Sequence, residues 1–226
     1  MINNKFEAFK KFVKGKDISV VGIGISNLPL IRLLCESGAR VTACDKKTED
    51  KIKNAKELSE MGVVLNCGED YLKDLSGDII FKTPGMRFDH PALLKAKENG
   101  STVTSEMEVF FEICPARIIG VTGSDGKTTT TTLIYKILQE SGYRCHLGGN
   151  IGKPLLCDAD KIEKDDMVVV ELSSFQLHTM KKSADTAVIT NLSPNHLDVH
   201  KSYGEYIDAK KNIYLHQDKS GVLVVN

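Results

Sequence analysis

No charge of either sign is left over in this chain: 30 lysines and arginines balance 30 aspartates and glutamates among its 226 residues. Totals without surplus positive charge imply no basic face, which argues against nucleic acid and anionic membrane as partners. No apolar run approaches the roughly 20 residues needed to cross a bilayer. The opening stretch, MINNKFEAFKKFVKGK, is too charged for the apolar segment of a secretory signal. The cysteines at 35, 44, 67, 114, 145 and 157 include no C-x-x-C pair. Neither a disulfide framework nor a zinc site is expected from them; they read as reduced, mostly buried thiols of a cytoplasmic protein. Internal repeats and low-complexity tracts are missing as well, apart from the Thr128–Thr132 run. A chain of this length is expected to form one large or two modest domains, with ample material for a core.

What is present is a steady alternation of short β-branched runs and amphipathic stretches, the pattern of an α/β fold on parallel sheets. Strands are predicted at 18–23, 40–44, 63–65, 78–82 and 102–104, with helices at 28–37, 49–61 and 91–99. A second unit begins with a strand at 118, after Cys114-Pro115. Further strands are predicted at 143–147, 167–170, 187–190 and 222–225, with helices up to 141 and at 203–216. The boundary is expected near 113–116. It separates a Rossmann-like domain over 1–113 from a P-loop-type parallel-sheet ATPase domain over 114–226.

The sharpest local signal is RIIGVTGSDGKTTTTTLIYKIL, from Arg117 to Leu138. An apolar strand feeds a small Gly-rich turn that opens a helix, the layout of a phosphate-binding loop. Backbone N–H groups of Gly123, Ser124, Asp125, Gly126 and the helix start can cradle an anion, with Thr128 and Thr129 in the first helical turn. Lys127 is placed to reach terminal phosphates, and the Thr128 hydroxyl to ligate Mg²⁺. The general pattern G-x-x-x-x-G-K-[ST] wants glycine where this chain has Val121. ATP with Mg²⁺ is the expected ligand.

In the first unit Gly22-Ile-Gly24-Ile-Ser26-Asn27 joins a strand to a helix, and Asp45 ends the next strand roughly twenty residues on. That is close to a dinucleotide fingerprint and would fit a nicotinamide-dependent oxidoreductase. Asn27 replaces the third glycine, however, and its side chain is expected to crowd helix–strand packing and the approach of a pyrophosphate. A strand–turn–helix without a ligand is one reading. The other is a nucleotide-type ligand at the strand ends, near Ser26, Asn27, Asp45, Lys47 and the turn Thr83-Pro84-Gly85.

Four further clusters follow the phosphate loop. Gly148-Gly149-Asn150-Ile151-Gly152 exposes backbone. Glu171 ends an apolar strand and continues into Leu172-Ser173-Ser174-Phe175-Gln176; a carboxylate there suits a Mg²⁺ ligand or a water-holder. Asn191 to Asp198 holds His196, which also follows a strand end; a single histidine is more often structural, but that position favours a metal or phosphate contact. Tyr206 to Tyr214 carries Lys210 and Lys211 on a helix, where a lysine pair is ordinarily a solvated face.

Taken together, GSDGKTT, GGNIG, ELSSFQL, NLSPNHLD and YIDAKKNIY resemble, in order and spacing, the Mur ligases of peptidoglycan synthesis. ELSSFQL points within that family to the branch that adds D-glutamate, while another member or a folylpolyglutamate synthase remains a nearby alternative. The resemblance implies a first domain that holds the UDP of a sugar nucleotide and a central domain that binds MgATP. ATP would phosphorylate the carboxylate of UDP-N-acetylmuramoyl-L-alanine, and the amine of D-glutamate would attack the acyl phosphate. Carried over by motif, Lys127 meets the β/γ-phosphates, and Thr128 and Glu171 hold a first Mg²⁺. His196 serves a second Mg²⁺, beside Lys210 as a carbamate. Asn150, Ser173 and Gln176 fall at substrate-facing positions. The family also has a C-terminal domain for the incoming amino acid. These 226 residues stop before it, and are expected to bind nucleotides without completing the ligation alone.

Overall fold

The computed structural model describes residues 3–25, 27–194 and 199–226. They form two compact units, one over 4–109 and one over 110–226 together with Asn3.

The first unit opens with helix α1 (Asn4–Val13). Phe6, Phe9 and Val13, spaced three and four apart, fall on one side and are buried, while Lys5 and Lys11 are exposed and Lys10 lies along the flank with its Nζ over the Phe6 ring. Then follow β1 (Asp17–Val21), α2 (Asn27–Glu36), β2 (Arg40–Asp45), α3 (Ala55–Glu60), β3 (Val64–Cys67), β4 (Ile79–Phe81), α4 (Pro91–Glu98) and β5 (Thr102–Thr104). The five strands pair in parallel in the order β3-β2-β1-β4-β5. Ile18, Val20, Val21, Ile80 and Phe81 make the two central strands almost wholly apolar, as expected where helices cover both faces. The order reverses between β1 and β4, so the loops after these two strands, at Gly22 and Thr83, open at the topological switch point.

Helix α5 (Glu106–Ile113) carries the chain from one unit into the other. The second unit holds β6 (Arg117–Thr122), α6 (Lys127–Glu140), β7 (Cys145–Gly149), β8 (Met167–Glu171), α7 (Ser174–Leu177), β9 (Thr186–Ile189), α8 (Tyr203–Lys211) and β10 (Val222–Val225). Its sheet is again parallel, in the order β10-β9-β6-β8-β7. Val168, Val169 and Val170 of β8 are fully buried, each contributing about 1.5–3 kcal/mol of hydrophobic stabilisation. Central β6 lies between β8 and β9, so the ends of all three strands reach the loop that precedes α6.

Several elements depart from the sequence reading. The 49–61 stretch is a short 3₁₀ turn (Glu49–Lys51) followed by α3, because Ile52 takes an extended backbone between them. The strand predicted at 143–147 is β7, shifted two residues on and paired with β8 from Cys145↔Met167 onward. Helix α8 stops at Lys211, where Asn212 leaves the helix and donates its side-chain amide to Leu177 O at 3.0 Å. Helices α1, α5 and α7 had no sequence-based expectation.

Candidate functional site

The loop between β6 and α6 is clamped from beneath by the segment after β9. Ser124 N donates to Asn191 O at 3.0 Å, Asp125 N to Asn191 Oδ1 at 3.0 Å, and Thr190 Oγ1 to Asp125 O at 2.6 Å. The buried Ser124 hydroxyl donates to Ser193 O at 2.8 Å, accepts from Ser193 N at 2.9 Å and shares a 2.8 Å bond with Tyr206 OH of α8. Gly123 is obligatory at the loop's first position. Its φ is +149°, and a Cβ there would lie 1.9 Å from Thr190 Oγ1. These bonds hold the loop in shape before any anion arrives, while Asp125, Gly126, Thr128 and Thr129 remain exposed.

Above the loop a chain of side chains runs across three elements. Thr128 Oγ1, in the first turn of α6, donates to Glu171 Oε2 at 2.6 Å. Asn150 Nδ2 donates to Glu171 Oε1 at 2.8 Å. Glu171 ends β8 and is buried. Asn150 gets there because Gly149, at φ +95°, packs its Cα face against Glu171 O, which a Cβ would approach to 2.1 Å. Lys127 Nζ folds back to donate to Ser124 O at 2.8 Å, a cation held at the mouth of the loop.

Lys210 lies on the inner side. It is 2% exposed, donates to Gly123 O at 2.8 Å and Thr122 Oγ1 at 3.2 Å, and its Nζ sits 4.7 Å from the centre of the Tyr206 ring. Burial, seconded by the nearby charge of Lys127 and opposed by Glu171, pulls its pKa down to about 7. The neighbouring Lys211 turns outward to Asp208 at 2.8 Å. Ser173 and Gln176 are joined to each other in a capping box at the start of α7: Ser173 Oγ accepts from Gln176 N at 3.2 Å, and Gln176 Oε1 from Ser173 N at 3.0 Å. His196 lies outside the described residues.

The first unit holds its own set at the switch point. Asp45 is part of the loop's frame, its oxygens accepting from Ile23 N at 2.7 Å and Lys47 N at 2.8 Å. The Lys47 side chain is exposed, as is Gly85, with Thr83 and Pro84 partly so. Ser26 lies outside the described residues. Asn27 corrects the crowding expected of it. Its side chain turns inward, is 4% exposed, and donates to Val21 O and Gly22 O at 3.0 Å each. The amide thus ties the helix start to the end of β1 instead of wedging them apart. Lys82, immediately before Thr83, had no place in the sequence reading. It is buried, burial lowers its pKa and Glu108 pulls the other way. The clamp formed by Thr190, Asn191, Ser193 and Tyr206 was not foreseen: the sequence reading singled out the segments that begin at Asn191 and Tyr206, but for His196 and the lysine pair and not for their bonds to the loop.

Comparison with known proteins accords with this geometry. The family model for the Mur ligase middle domain matches residues 121–226, and that for the Mur ligase MurD-like N-terminal domain matches 16–105. UDP-N-acetylmuramoylalanine–D-glutamate ligase of Clostridium kluyveri is 60% identical over 227 residues, covering 100% of this chain and 50% of the relative. The ligases of the same name from Acetivibrio thermocellus and Clostridium novyi are 59% and 56% identical, with 100% and 98% of this chain covered and 49% of each relative. The chain spans about half the length of these curated relatives. Among solved structures, the UDP-N-acetylmuramate:L-alanyl-gamma-D-glutamyl-meso-diaminopimelate ligase of Neisseria meningitidis matches with a TM-score of 0.58 at 21% identity, over 94% of this chain and 71% of that one. That likeness is one of fold: two parallel-sheet α/β domains. With each unit matched by a domain of one family and the whole length matched by that family's members, the chain belongs to the Mur ligases.

Proposed function

We propose that this chain forms the sugar-nucleotide and ATP-binding part of a ligase that joins D-glutamate to UDP-N-acetylmuramoyl-L-alanine in the cytoplasm. The observation that carries the proposal is the Thr128–Glu171–Asn150 arrangement over the phosphate loop, with Thr128 Oγ1 2.6 Å from Glu171 Oε2. A hydroxyl and a buried carboxylate at a loop shaped for phosphate are hard oxygen donors, the set that Mg²⁺ prefers. Thr128 and Glu171 would hold a first Mg²⁺, and His196 with Lys210 as its carbamate a second. Bound there, Mg²⁺ supplies Lewis acidity to the phosphate oxygens.

The residues of the chain then divide the work. The backbone N–H groups of Gly126, Lys127 and Thr128 bind the phosphates of ATP, those of Ser124 and Asp125 being spent on Asn191 to hold residues 123–125 in shape, and Lys127 offsets charge on the phosphoryl group in transfer. An acceptor carboxylate oxygen attacks the γ-phosphorus as the bond to the bridging oxygen of ADP breaks. The D-glutamate amine next attacks the acyl carbon, the C–N bond forms, inorganic phosphate leaves and the nitrogen gives up a proton. Asn150, Ser173 and Gln176 orient the acceptor. Asp45, Lys47 and the 83–85 turn, with Ser26, serve the UDP end, and Asn27 serves it by tying the turn to the end of β1.

The test is phosphate release by the whole protein. It should require ATP, UDP-N-acetylmuramoyl-L-alanine and D-glutamate together, and fail with L-glutamate or a folate acceptor. Lys127→Ala should remove most turnover, a loss of several kcal/mol in the transition state. Equal rates with either enantiomer, or near-normal turnover without Lys127, would overturn this reading.

A further inference from the structure

We propose that His178, His200 and Glu205 form a binding site for a zinc-class divalent cation, apart from the phosphate loop. The three side chains come from two segments: His178 follows α7, while His200 and Glu205 lead into and begin α8. One ligand atom from each lies within 4.8 Å of the others. His178 Nε2 is already 3.5 Å from Glu205 Oε1. Tetrahedral zinc with bonds of about 2.0–2.1 Å sets neighbouring ligand atoms roughly 3.3 Å apart. One edge of the coordination shell is thus nearly formed, and rotation of the partly exposed His178 and Glu205 side chains brings it onto buried His200.

The surroundings orient these groups. The His200 ring stacks on Phe175 at 5.3 Å between centres, meets Tyr206 edge-on at 5.4 Å and sits 5.6 Å from the His178 ring. Its Nε2 lies 2.9 Å from Ser174 Oγ. The backbone N–H of Lys201 donates to Glu205 Oε2, leaving Oε1 turned toward His178. Outer contacts of this kind fix ring and carboxylate orientation in metal sites. His178 and Glu205 side chains are 19% and 17% exposed, so a cation can enter from solvent, whereas His200 is buried at the back.

Two imidazoles and one carboxylate suit zinc, cobalt or nickel; magnesium prefers an all-oxygen shell. An occupied site would cross-link the segment after α7 to the start of α8, the helix that carries Lys210.

Cobalt(II) titration of the protein tests this. We expect one Co²⁺ per chain with the intense visible ligand-field bands of low coordination, displaced by Zn²⁺ and not by excess Mg²⁺. His178→Gln and Glu205→Gln should each weaken Co²⁺ binding at least about tenfold. Metal-free thermal unfolding of both variants checks their folding, and because the two residues lie on different segments, one intact variant suffices. Absence of Co²⁺ binding would show that the cluster is only a His–Glu ion pair. A thiolate-to-cobalt charge-transfer band would move the metal to cysteine. Parent-like affinity in a folded variant would also overturn the site.

Discussion

Lys210 Nζ donates to Gly123 O at 2.8 Å, so the lysine of α8 is bound directly to the first residue of the phosphate loop. With its pKa drawn down to about 7, a large share of this amine is neutral near neutral pH. A neutral amine is the form that combines with CO₂, and the resulting carbamate would exchange a charge that repels Mg²⁺ for an oxygen that binds it.

Lys210→Ala should therefore slow ligation by the whole protein far more than Lys211→Ala, since Lys211 reaches only Asp208 on the outside of the helix. Stripping CO₂ and bicarbonate should lower activity, and returning bicarbonate should restore it. Steady-state rates in CO₂-free buffer, with and without added bicarbonate, are the measurement. Parent-like activity in Lys210→Ala would reduce α8 to a scaffold.

The same shift has a consequence for stability. Lysine titrates near 10.5 ordinarily and near 7 here. Between those values the unfolded chain binds the extra proton, so Lys210 makes stability rise with pH across that window. Its penalty is complete below pH 7 and gone above 10.5. Lys210→Met should gain on the parent most at low pH, with the difference shrinking as pH rises. Urea midpoints of both proteins in CO₂-free buffer, taken from about pH 6 to about pH 10, would reveal a flat difference if the lysine were not held this way.

Gly123→Ala should cost at least about 2 kcal/mol, from a backbone conformation costly for alanine and a methyl driven into Thr190. Adding Thr190→Ala should recover only part of the loss, because the φ of +149° remains. Full recovery in the double variant would mean that the contact alone excludes a side chain at this position.

The first unit should bind UDP-N-acetylmuramoyl-L-alanine and not NADH. Asp45 is engaged with two backbone N–H groups, and Asn27 stands where a dinucleotide fold has its third glycine. Calorimetry with both ligands decides the matter, and tight NADH binding without a response to the UDP-sugar would reverse the assignment.

Much of this was legible in the chain because it is local. A strand, a glycine turn and a Lys-Thr helix start are contiguous, so the phosphate loop at 123–128 could be read from neighbouring residues alone. Glu171 was accessible by the same logic, as the polar residue that ends an apolar run. Asn27 shows the limit of such reading: the residue type signalled a departure, but whether its amide would obstruct or tie the turn depended on the carbonyls of Val21 and Gly22. The fate of Ser173 and Gln176, paired with each other over α7, was equally hidden.

The sequence by itself determined the α/β alternation, the two units and the loop that opens α6, because strand and helix periods and turn chemistry follow from backbone sterics over a few residues. Tertiary structure decided what surrounds that loop. Strands β8 and β9 flank β6 only once the parallel sheet has formed, and that pairing brings Glu171 to Thr128 across 43 residues and Lys210 to Gly123 across 87. No local pattern records those meetings. The neutral-leaning amine of Lys210 exists only where burial and a neighbouring cation make its charge costly.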